Sequence, residues 1–443
     1  MKKKSIYLIF LAVFVIIILL QNRIWAKNLV VNNEDSAINN QEQIDIFKNI
    51  SAPNLLLAET NTGRILYERN ADRKIYPASL TKLMTAILVV ENCELDEIVT
   101  VSENAVLSVP VGYVNANLQV GEELTVEDLL YVMLIPSAND AANALAEHVG
   151  GNIESFSAMM NSKAKELGCT GSNFTNPSGL HQEEHYTTTR DLFLISQEAI
   201  ENELIEKIIG TTIYTLPSTN KYTKEPRIFA TTNYMMKKSL KKYYYDYCIG
   251  AKTGYTGEAK NCVVEFARKD GIELTAIVMG EVAKVKGQKF LDAKEMFEYV
   301  FENYNSEQVA KRNEKYDIVT VSNGTKDTKE LDLLYKDNVN ILKENNSNKE
   351  IKENVEYTNL KAPIQKGDIV GKIIYEYEGI EYETEIIANS NVEESKVLGN
   401  LLKILILVLS IYIIYNLKKS KKKYGNHGKN IKKKKKRKNK KQK

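Results

Sequence analysis

The chain has few cysteines, and their spacing excludes one common class of metal site. Among 443 residues there are four cysteines, and no two of them form a C-x-x-C pair, the spacing that structural zinc sites typically use. Outside the cytoplasm Cys248 and Cys262 could pair across one hairpin. We nevertheless expect all four thiols to be buried and free, at Cys93, Cys169, Cys248 and Cys262.

The sequence also lacks internal repeats and any unusual composition. Hydrophobic residues make up 43% of the chain and charged residues 26%, values that are ordinary for globular proteins. A length of 443 residues exceeds what one compact core usually holds. We therefore expect one main domain and at least one smaller unit.

The N-terminus has the order of features that is typical of secretory signals. Lysines precede an apolar run at 6–20, and Ala26 is a candidate cleavage point. Ile24 is larger than the small residue that is usual at its position. Residues 1–26 are therefore predicted to be a signal peptide or an uncleaved anchor, followed by a polar leader at 27–50.

The C-terminus contains a second apolar run. Residues 398–417 are mostly apolar, and about 20 such residues can cross a bilayer. Lys403 lies near one end of the run, where its side chain could reach the interface. We predict a transmembrane helix at 398–417, and the alternative is an amphipathic helix that lies on the membrane surface.

Charge is segregated along the chain. Residues 418–443 contain 16 Lys or Arg and no acid, whereas residues 28–397 carry a net charge of −19. A lysine block directly after an apolar span fits the positive-inside rule, so we predict a cytoplasmic tail at 418–443 and a body outside the cell membrane. Nucleic-acid binding by the tail is the alternative. We expect no nucleic-acid partner, because a membrane span already explains where the block lies.

Hydrophobic patterns divide the body of the chain into two domains. An early hairpin, helical segments, three late strands and a closing helix are predicted at 54–68, 76–90, 123–150, 248–279 and 290–304. Helices between an early hairpin and a late run of strands predict an α/β (α+β) fold whose antiparallel sheet combines both ends. We assign this main domain to residues 51–305.

The sequence pattern changes after the main domain. From about residue 317, short strands alternate with Asn-Gly, Lys-Gly-Asp and Glu-Gly turns. The sequence predicts a small β-rich domain at 306–395 that contains a polar loop at 343–354.

A serine and a lysine three positions apart supply a candidate nucleophile and base. Ser79 and Lys82 would share one face of a helix that starts near Pro77, and burial against the core would lower the pKa of the lysine and free a neutral amine. Ser-x-x-Lys alone is a weak pattern, because it also occurs at Ser162, Ser218, Ser239 and Ser420.

Two further motifs follow Ser79 in a fixed order. Ser137 and Asn139 lie where a proline interrupts a helical pattern, so both short polar side chains can face a cleft. Lys252, Thr253 and Gly254 end a predicted strand, and the glycine lets a substrate backbone approach closely. Lys-Thr-Gly occurs once in the chain, which makes the ordered set specific.

This ordered set of motifs is similar to the one found in penicillin-binding proteins and class A β-lactamases, although the middle motif of class A enzymes is Ser-Asp-Asn and not Ser-Ala-Asn. Residues 52–304 resemble the serine-type D-alanyl-D-alanine carboxypeptidases, the low-molecular-weight penicillin-binding proteins, and the later β-rich unit resembles their C-terminal domain. The resemblance implies a β-lactamase/transpeptidase-like catalytic domain with an antiparallel sheet and a helical cluster. It also implies peptidoglycan stem peptides as substrates and β-lactam antibiotics as covalent inhibitors, with no cofactor and no metal.

The resemblance implies a role for each motif residue. Ser79 would attack the penultimate D-alanine carbonyl and Lys82 would accept its proton. Ser137 would relay a proton to the leaving amine, and Asn139 would hold the substrate amide. The terminal carboxylate would meet Lys252 and Thr253, beside Gly254. The backbone N–H groups of Ser79 and Tyr255 would form the oxyanion hole.

The chain departs from the family at the carboxylate site, where an arginine is usual near the start of the helix after the last core strand. Here the nearest basic residues are Lys286 and Lys289, and lysine lacks the bidentate fork of arginine. Substrate affinity is therefore expected to be lower.

Four alternative functions are weighed against a carboxypeptidase. A D-alanyl endopeptidase would use the same acyl-enzyme. A class A β-lactamase needs a further glutamate, but no Glu-x-x-Leu-Asn segment follows Ser137. His181 and His185 spell the H-x-x-E-H pattern of a zinc peptidase, yet their segment favours a loop. A non-catalytic wall-binding protein would not need the intact serine and lysine.

Overall fold

The computed structural model describes residues 46–282, 285–358, 360–396, 401–416 and 418. The chain divides into two compact units, Met1–Ile50 and Ser51–Lys443. The signal or anchor predicted at 1–26 and most of the leader lie outside the described residues, as does the basic tail after Lys418. All four cysteines are free thiols, so the pairing of Cys248 with Cys262 is not formed.

Among the described residues, the strands of the second unit form two five-stranded sheets, one in each domain, and three two-stranded sheets. In chain order they are β1 Asn54–Glu59, β2 Ile65–Arg69, β3 Ile98–Thr100, β4 Glu123–Thr125, β5 Ile213–Leu216, β6 Arg227–Ala230, β7 Cys248–Thr256, β8 Lys260–Lys269, β9 Ile272–Glu281, β10 Tyr304–Ala310, β11 Lys315–Thr320, β12 Glu330–Tyr335, β13 Val339–Glu344, β14 Lys352–Tyr357, β15 Ile369–Tyr377 and β16 Ile380–Ala388.

The helices, apart from one at 401–416, lie between the first and last strands of the main domain or directly after them. A 3-10 turn, Ala78–Thr81, leads into α1 Lys82–Asn92, and the others are α2 Glu103–Leu107, α3 Val126–Leu134, α4 Asn139–Gly150, α5 Ile153–Glu166, α6 Thr189–Glu201, α7 Glu203–Ile209 and α8 Gln288–Asn303.

The main sheet joins the two ends of the main domain, as the sequence predicted. Its strand order is β2-β1-β9-β8-β7, and every neighbouring pair is antiparallel. Strand β1 is buried along its whole length, because it pairs with β2 on one side and β9 on the other. The early hairpin, the three late strands and the closing helix are thereby confirmed, and the sheet carries Lys252 and Thr253 on its edge strand β7.

Helix α1 is the centre of the helical cluster. Its residues from Lys82 to Val89 are all buried, and it contacts α3, α4, α5 and α6. A helix that is apolar on all sides is stable only inside a protein, which explains its central position. Because α1 begins at Lys82, the side chain of this lysine lies within the core.

The β-rich domain is built from two sheets, with strand orders β11-β12-β16-β15-β14 and β10-β13. Its core contains Leu331, Leu333, Ile373 and Ile386. A β-rich C-terminal domain is therefore confirmed, but the loop predicted at 343–354 is too long. Strands β13 and β14 occupy both ends of that segment, because an edge strand such as β14 can be polar on both faces.

No helix among the described residues is long and apolar enough to cross a membrane. The helix at 401–416 has exposed apolar side chains. The transmembrane helix predicted at 398–417, whose first three residues and last residue lie outside the described residues, is therefore not supported.

Candidate active site

Ser79 lies in the 3-10 turn before α1, and the backbone around it is strained. Ala78 has a φ of +49°, a left-handed conformation that costs a non-glycine residue about 1–2 kcal/mol. The hydroxyl of Thr81 donates to the Ala78 carbonyl oxygen at 2.9 Å and supports the turn. In this backbone conformation the half-buried Ser79 lies at the edge of the cleft.

Two glycines let neighbouring segments pack against this turn. A Cβ at Gly179 would lie 1.8 Å from the Ala78 carbonyl oxygen, and Gly179 has a φ of +80°. A Cβ at Gly254 would lie 3.1 Å from the backbone nitrogen of Ser79. Strand β7 and the loop at 176–179 therefore reach Ser79 only because both positions lack a side chain.

Lys82 is fully buried and is held by three hydrogen-bond partners. Its Nζ lies 2.7 Å from Oδ1 of Asn139, 2.7 Å from the carbonyl oxygen of Ser178 and 3.1 Å from Oγ of Ser79. Burial lowers the pKa of Lys82 well below its usual value, and the positive charge of Lys252 lowers it further. Asn139 and Ser178 offer only acceptors, so a neutral amine would give them its two N–H groups and turn its lone pair towards Ser79.

Asn139 is the first residue of α4, and Ser137 lies two residues before it. Ser137 has a φ of +71°, which turns its side chain towards β7, and its Oγ accepts a hydrogen bond from Lys252 Nζ at 2.7 Å. Asp140, also buried, accepts hydrogen bonds from the backbone N–H groups of Ala116 and Leu118. Asp140 thereby holds the backbone at 116–118 against the start of α4.

The third motif lies on the edge strand of the main sheet. Lys252 is buried, which lowers its pKa to about 7, and the nearby charge of Lys289 adds to the effect. The Oγ1 atoms of Thr253 and Thr232 are 2.6 Å apart. Tyr255 also lines the cleft and leaves 64% of its surface exposed.

All three motifs open onto one cleft of about 370 Å³. Ser79, Ser137, Thr253, Gly254 and Tyr255 line it directly. Lys82 and Lys252 lie behind these residues and donate hydrogen bonds to Ser79 and Ser137, and Asn139 accepts a hydrogen bond from Lys82. The structure therefore brings together every site residue that the sequence predicted, with the charged groups buried and the hydroxyl groups at the surface of the cleft.

Three residues that the motifs did not identify also belong to this cleft. Thr232 and Lys289 line it, and Ser178 supplies a backbone oxygen to Lys82. Lys289 is buried in the first turn of α8, where its Nζ donates to the carbonyl oxygens of Cys262 at 3.0 Å and Gly254 at 3.4 Å. Lys286 is exposed, so of these two lysines only Lys289 is buried beside the cleft.

The H-x-x-E-H pattern does not form a zinc site of the peptidase type. Its residues lie in a turn and in irregular backbone and not on a helix. Burial lowers the pKa of His185 to about 4, so its imidazole is neutral, and it bonds Thr81 Oγ1 at 2.9 Å and the Thr175 N–H at 3.1 Å. His181 packs edge-on against Tyr76. His185 thus supports the Ser79 turn.

The other Ser-x-x-Lys matches in the described residues have a different environment. Ser162, Ser218 and Ser239 are exposed, and so are the lysines three positions after them. Ser420 lies outside the described residues. Among the matches that the structure describes, only Ser79 is paired with a buried lysine.

Comparison with known proteins agrees with this geometry. The family model described as D-alanyl-D-alanine carboxypeptidase matches residues 38–283, and the C-terminal domain of penicillin-binding protein 5 matches residues 304–394. A D-alanyl-D-alanine carboxypeptidase of Bacillus subtilis is 33% identical over 77% of this chain and 84% of its own length.

Two further relatives extend the comparison. A D-alanyl-D-alanine endopeptidase of Pseudomonas aeruginosa is 30% identical over 48% of this chain and 66% of its own length. The crystal structure of penicillin-binding protein 5 from Haemophilus influenzae matches with a TM-score of 0.59 and 27% identity, and the match covers 78% of this chain and 98% of that one. The chain belongs to the family of serine-type D-alanyl-D-alanine carboxypeptidases.

Proposed function

We propose that this enzyme removes the terminal D-alanine from peptidoglycan pentapeptides through an acyl-enzyme on Ser79. The observation that carries the proposal is the buried Lys82, whose Nζ lies 3.1 Å from Ser79 Oγ and whose pKa is strongly lowered by burial. A general base works best when it is neutral at the working pH and within hydrogen-bond reach of the proton that it removes.

Acylation begins with transfer of the Ser79 hydroxyl proton to Lys82. Oγ then attacks the carbonyl carbon of the penultimate D-alanine, and the oxyanion receives hydrogen bonds from the backbone N–H groups of Ser79 and Tyr255. The close approach of Gly254 to the Ser79 nitrogen supports this arrangement, because it brings the two backbones within a few ångströms of each other. Preorganised donors of this kind commonly supply several kcal/mol.

The leaving amine must gain a proton when the peptide bond breaks. Lys252 donates to Ser137 Oγ at 2.7 Å, so the Ser137 hydroxyl proton is free to point into the cleft. Ser137 passes a proton to the amine, and D-alanine leaves. Asn139, fixed by Lys82, holds the substrate amide in the attacking geometry. The proton that Lys82 took from Ser79 then passes to Ser137, so that Lys82 is neutral again. Water attacks the acyl carbon and gives one proton to Lys82, which returns it to Ser79 Oγ as the acyl-enzyme bond breaks and the shortened peptide leaves.

Lys252, Thr253 and Lys289 form the end of the site that binds the terminal carboxylate. The pKa of Lys252 is about 7 and that of Lys289 is about 8, and a bound carboxylate favours the charged forms of both. Since a lysine loses its charge as pH rises through its pKa, KM for an acyl-D-Ala-D-Ala peptide should increase above pH about 7. A peptide amide, which lacks the carboxylate, is the matched control and should not show the increase.

Digestion of purified muropeptides tests the proposed substrate. A pentapeptide monomer and a cross-linked dimer are incubated side by side with the full chain, and free D-alanine is measured together with the loss of dimer. Release of D-alanine from the monomer with the dimer intact supports the proposal. Cleavage of the dimer with little release from the monomer supports an endopeptidase instead, the activity named for the Pseudomonas aeruginosa relative.

A β-lactamase would differ from both activities in the lifetime of its penicilloyl adduct. Lys82 is the base next to Ser79. Among the described residues, no carboxylate lines the cleft. A long-lived adduct with benzylpenicillin is therefore expected. Rapid turnover of penicillin would support the β-lactamase alternative.

We infer that the catalytic domain works outside the cell membrane and that the C-terminal apolar segment associates with the membrane. The segregation of charge supports this orientation, and so do the exposed apolar side chains at 401–416. Protease added to intact protoplasts should remove the body and spare an epitope at Lys443 if the segment spans the bilayer. Loss of the epitope supports attachment to the outer surface.

A further inference from the structure

Three side chains with metal-binding atoms lie together far from the cleft. Cys93, Glu97 and His148 each offer one ligand atom, and these atoms all lie within 4.8 Å of one another. In the part of the chain that the structure describes, no other group of three His, Cys, Asp or Glu has this arrangement. The cluster plays no part in the proposed reaction, because α1 separates it from Lys82 by about 16 Å of helix.

The backbone fixes the positions from which these ligands extend. Cys93 directly follows α1, and its N–H donates to the Val89 carbonyl oxygen at 3.0 Å. Glu97 precedes β3, and its carbonyl oxygen accepts from the Val126 N–H at 3.0 Å. His148 lies in the last turn of α4. Because each ligand is carried by a fixed backbone, the ordering cost of binding an ion is small.

Hydrogen bonds already orient the carboxylate and the imidazole. Glu97 Oε1 accepts from the backbone N–H of Glu94 at 2.6 Å, and Glu97 Oε2 lies 2.9 Å from His148 Nε2. The Glu94 N–H lies outside the cluster, and outer contacts of this kind hold metal ligands in the geometry that they need. His148 is exposed and the other two residues are half-buried, so an ion can reach the cluster from solvent.

The donor set selects a class of ion. Thiolate, imidazole and carboxylate together suit zinc and similar divalent transition ions, whereas Mg²⁺ and Ca²⁺ prefer oxygen ligands alone. We propose that Cys93, Glu97 and His148 bind one zinc-like divalent ion, with a water molecule as the fourth ligand. The structural alternative is that His148 pairs with Glu97 while Cys93 packs against the core, and the metal titration below separates the two.

Binding requires the loss of one proton and no change in oxidation state. The Cys93 S–H bond breaks, its proton passes to solvent, and a bond forms between Sγ and the ion. His148 binds as neutral imidazole through whichever ring nitrogen carries the lone pair. Burial and the carboxylate of Glu97 raise the pKa of the free thiol, and a bound cation offsets both effects because it stabilises the thiolate.

A bound ion would tie together the C-terminal ends of α1 and α4. The N-terminal ends of the same two helices carry Lys82 and Asn139, which are hydrogen-bonded to each other at 2.7 Å. The ion would therefore stabilise the pair of helices that positions the base, without touching the reacting atoms. The expected effect is on stability and not on the chemical step.

Cobalt titration of the metal-free full chain tests the site directly, because thiolate-to-cobalt charge transfer gives an ultraviolet band. We expect the band to appear with one equivalent of Co²⁺ and to be displaced by Zn²⁺. Cys93→Ser should abolish it. Glu97→Gln and His148→Ala should weaken binding at least about 10-fold, since even outer-shell changes cost about 10–100-fold. Glu94→Gln is the matched control, because Glu94 contributes only its backbone, and should bind normally.

Thermal unfolding with and without Zn²⁺ provides a second readout. Zn²⁺ should raise the unfolding midpoint of the wild-type chain and of Glu94→Gln, and it should not raise that of Cys93→Ser. Labelling by a fluorescent penicillin shows that each variant is folded and keeps this test separate from the proposed reaction. The proposal is overturned if the wild-type chain gives no thiolate band, or if the band persists in Cys93→Ser.

Discussion

The two domains of this chain treat charged side chains in opposite ways. The main domain buries Lys82, Lys252 and Glu265 completely. In the described part of the β-rich domain no charged side chain is buried, and its lysines pair with acids at the surface, as Lys352 does with Glu376 at 2.9 Å. Burying charge is costly unless it is well paired. The comparison indicates that the main domain gives up stability to obtain a neutral base and binding groups, whereas the described part of the β-rich domain carries no such cost.

The largest effect should follow from changing the buried base. Lys82→Arg keeps a basic side chain, but guanidinium does not give up its proton at these pH values. Labelling by a fluorescent penicillin should slow by about 10²–10⁴, the usual contribution of a general base. Lys352→Arg in the β-rich domain is the matched control and should label at the wild-type rate. Equal labelling of both variants would mean that burial of Lys82 has no catalytic purpose.

Removal of the charge at position 252 should change how stability depends on pH. In the unfolded chain this lysine titrates near 10.5, and in the folded protein its pKa is about 7. Between pH 7 and pH 10.5, folding therefore releases a proton from this lysine. Its contribution lowers the free energy of unfolding as pH falls from 10.5 to 7. Lys252→Met removes this penalty. The unfolding free energy of the variant relative to wild type should therefore rise by several kcal/mol as pH falls from 10.5 to 7.

Urea unfolding of both proteins near pH 7 and near pH 10.5 measures the difference. Loss of the hydrogen bond to Ser137 destabilises Lys252→Met at both pH values, so the change between them isolates the charge. A difference that does not vary with pH would show that Lys252 has its usual pKa in the folded protein.

Two glycines with similar backbone conformations should respond differently to alanine. Gly179, beside the Ser79 turn, has a φ of +80° and no room for a Cβ, whereas Gly367 in the β-rich domain has a φ of +92° and nothing within 4 Å. Gly367→Ala should cost only the strain of a left-handed residue, about 1–2 kcal/mol. Gly179→Ala should cost more and should also slow penicillin labelling, because the turn must move. Thermal unfolding and labelling rates of the two variants test the contrast.

The smallest effect is expected at the surface of the β-rich domain. Lys352→Ala removes an ion pair whose lysine is 73% exposed, and exposed pairs contribute about 0–1 kcal/mol. Urea unfolding should change little, and penicillin labelling should not change. A loss of several kcal/mol would contradict the view that charge in this domain is uncoupled from its core.

The sequence predicted the local features of the fold and of the site, and it missed those that depend on distant contacts. Strand β1 and the strands β7 to β9 have clear patterns, because each consists largely of buried residues. Strand β14 has none, since it is an exposed edge strand. Thr232 and Ser178 reach the cleft through loops that carry no recognisable motif. The choice between Lys286 and Lys289 needed the structure, because only the start of α8 decides which one is buried.

Mass spectrometry of the penicillin adduct tests the central claim most directly. The full chain is incubated with benzylpenicillin, digested and mapped, with Ser79→Ala treated in parallel. The buried lysine beside Ser79 predicts one penicilloyl group per chain, attached to Ser79, and none on the variant. Normal labelling of Ser79→Ala, or an adduct on Ser162, Ser218 or Ser239, would contradict it.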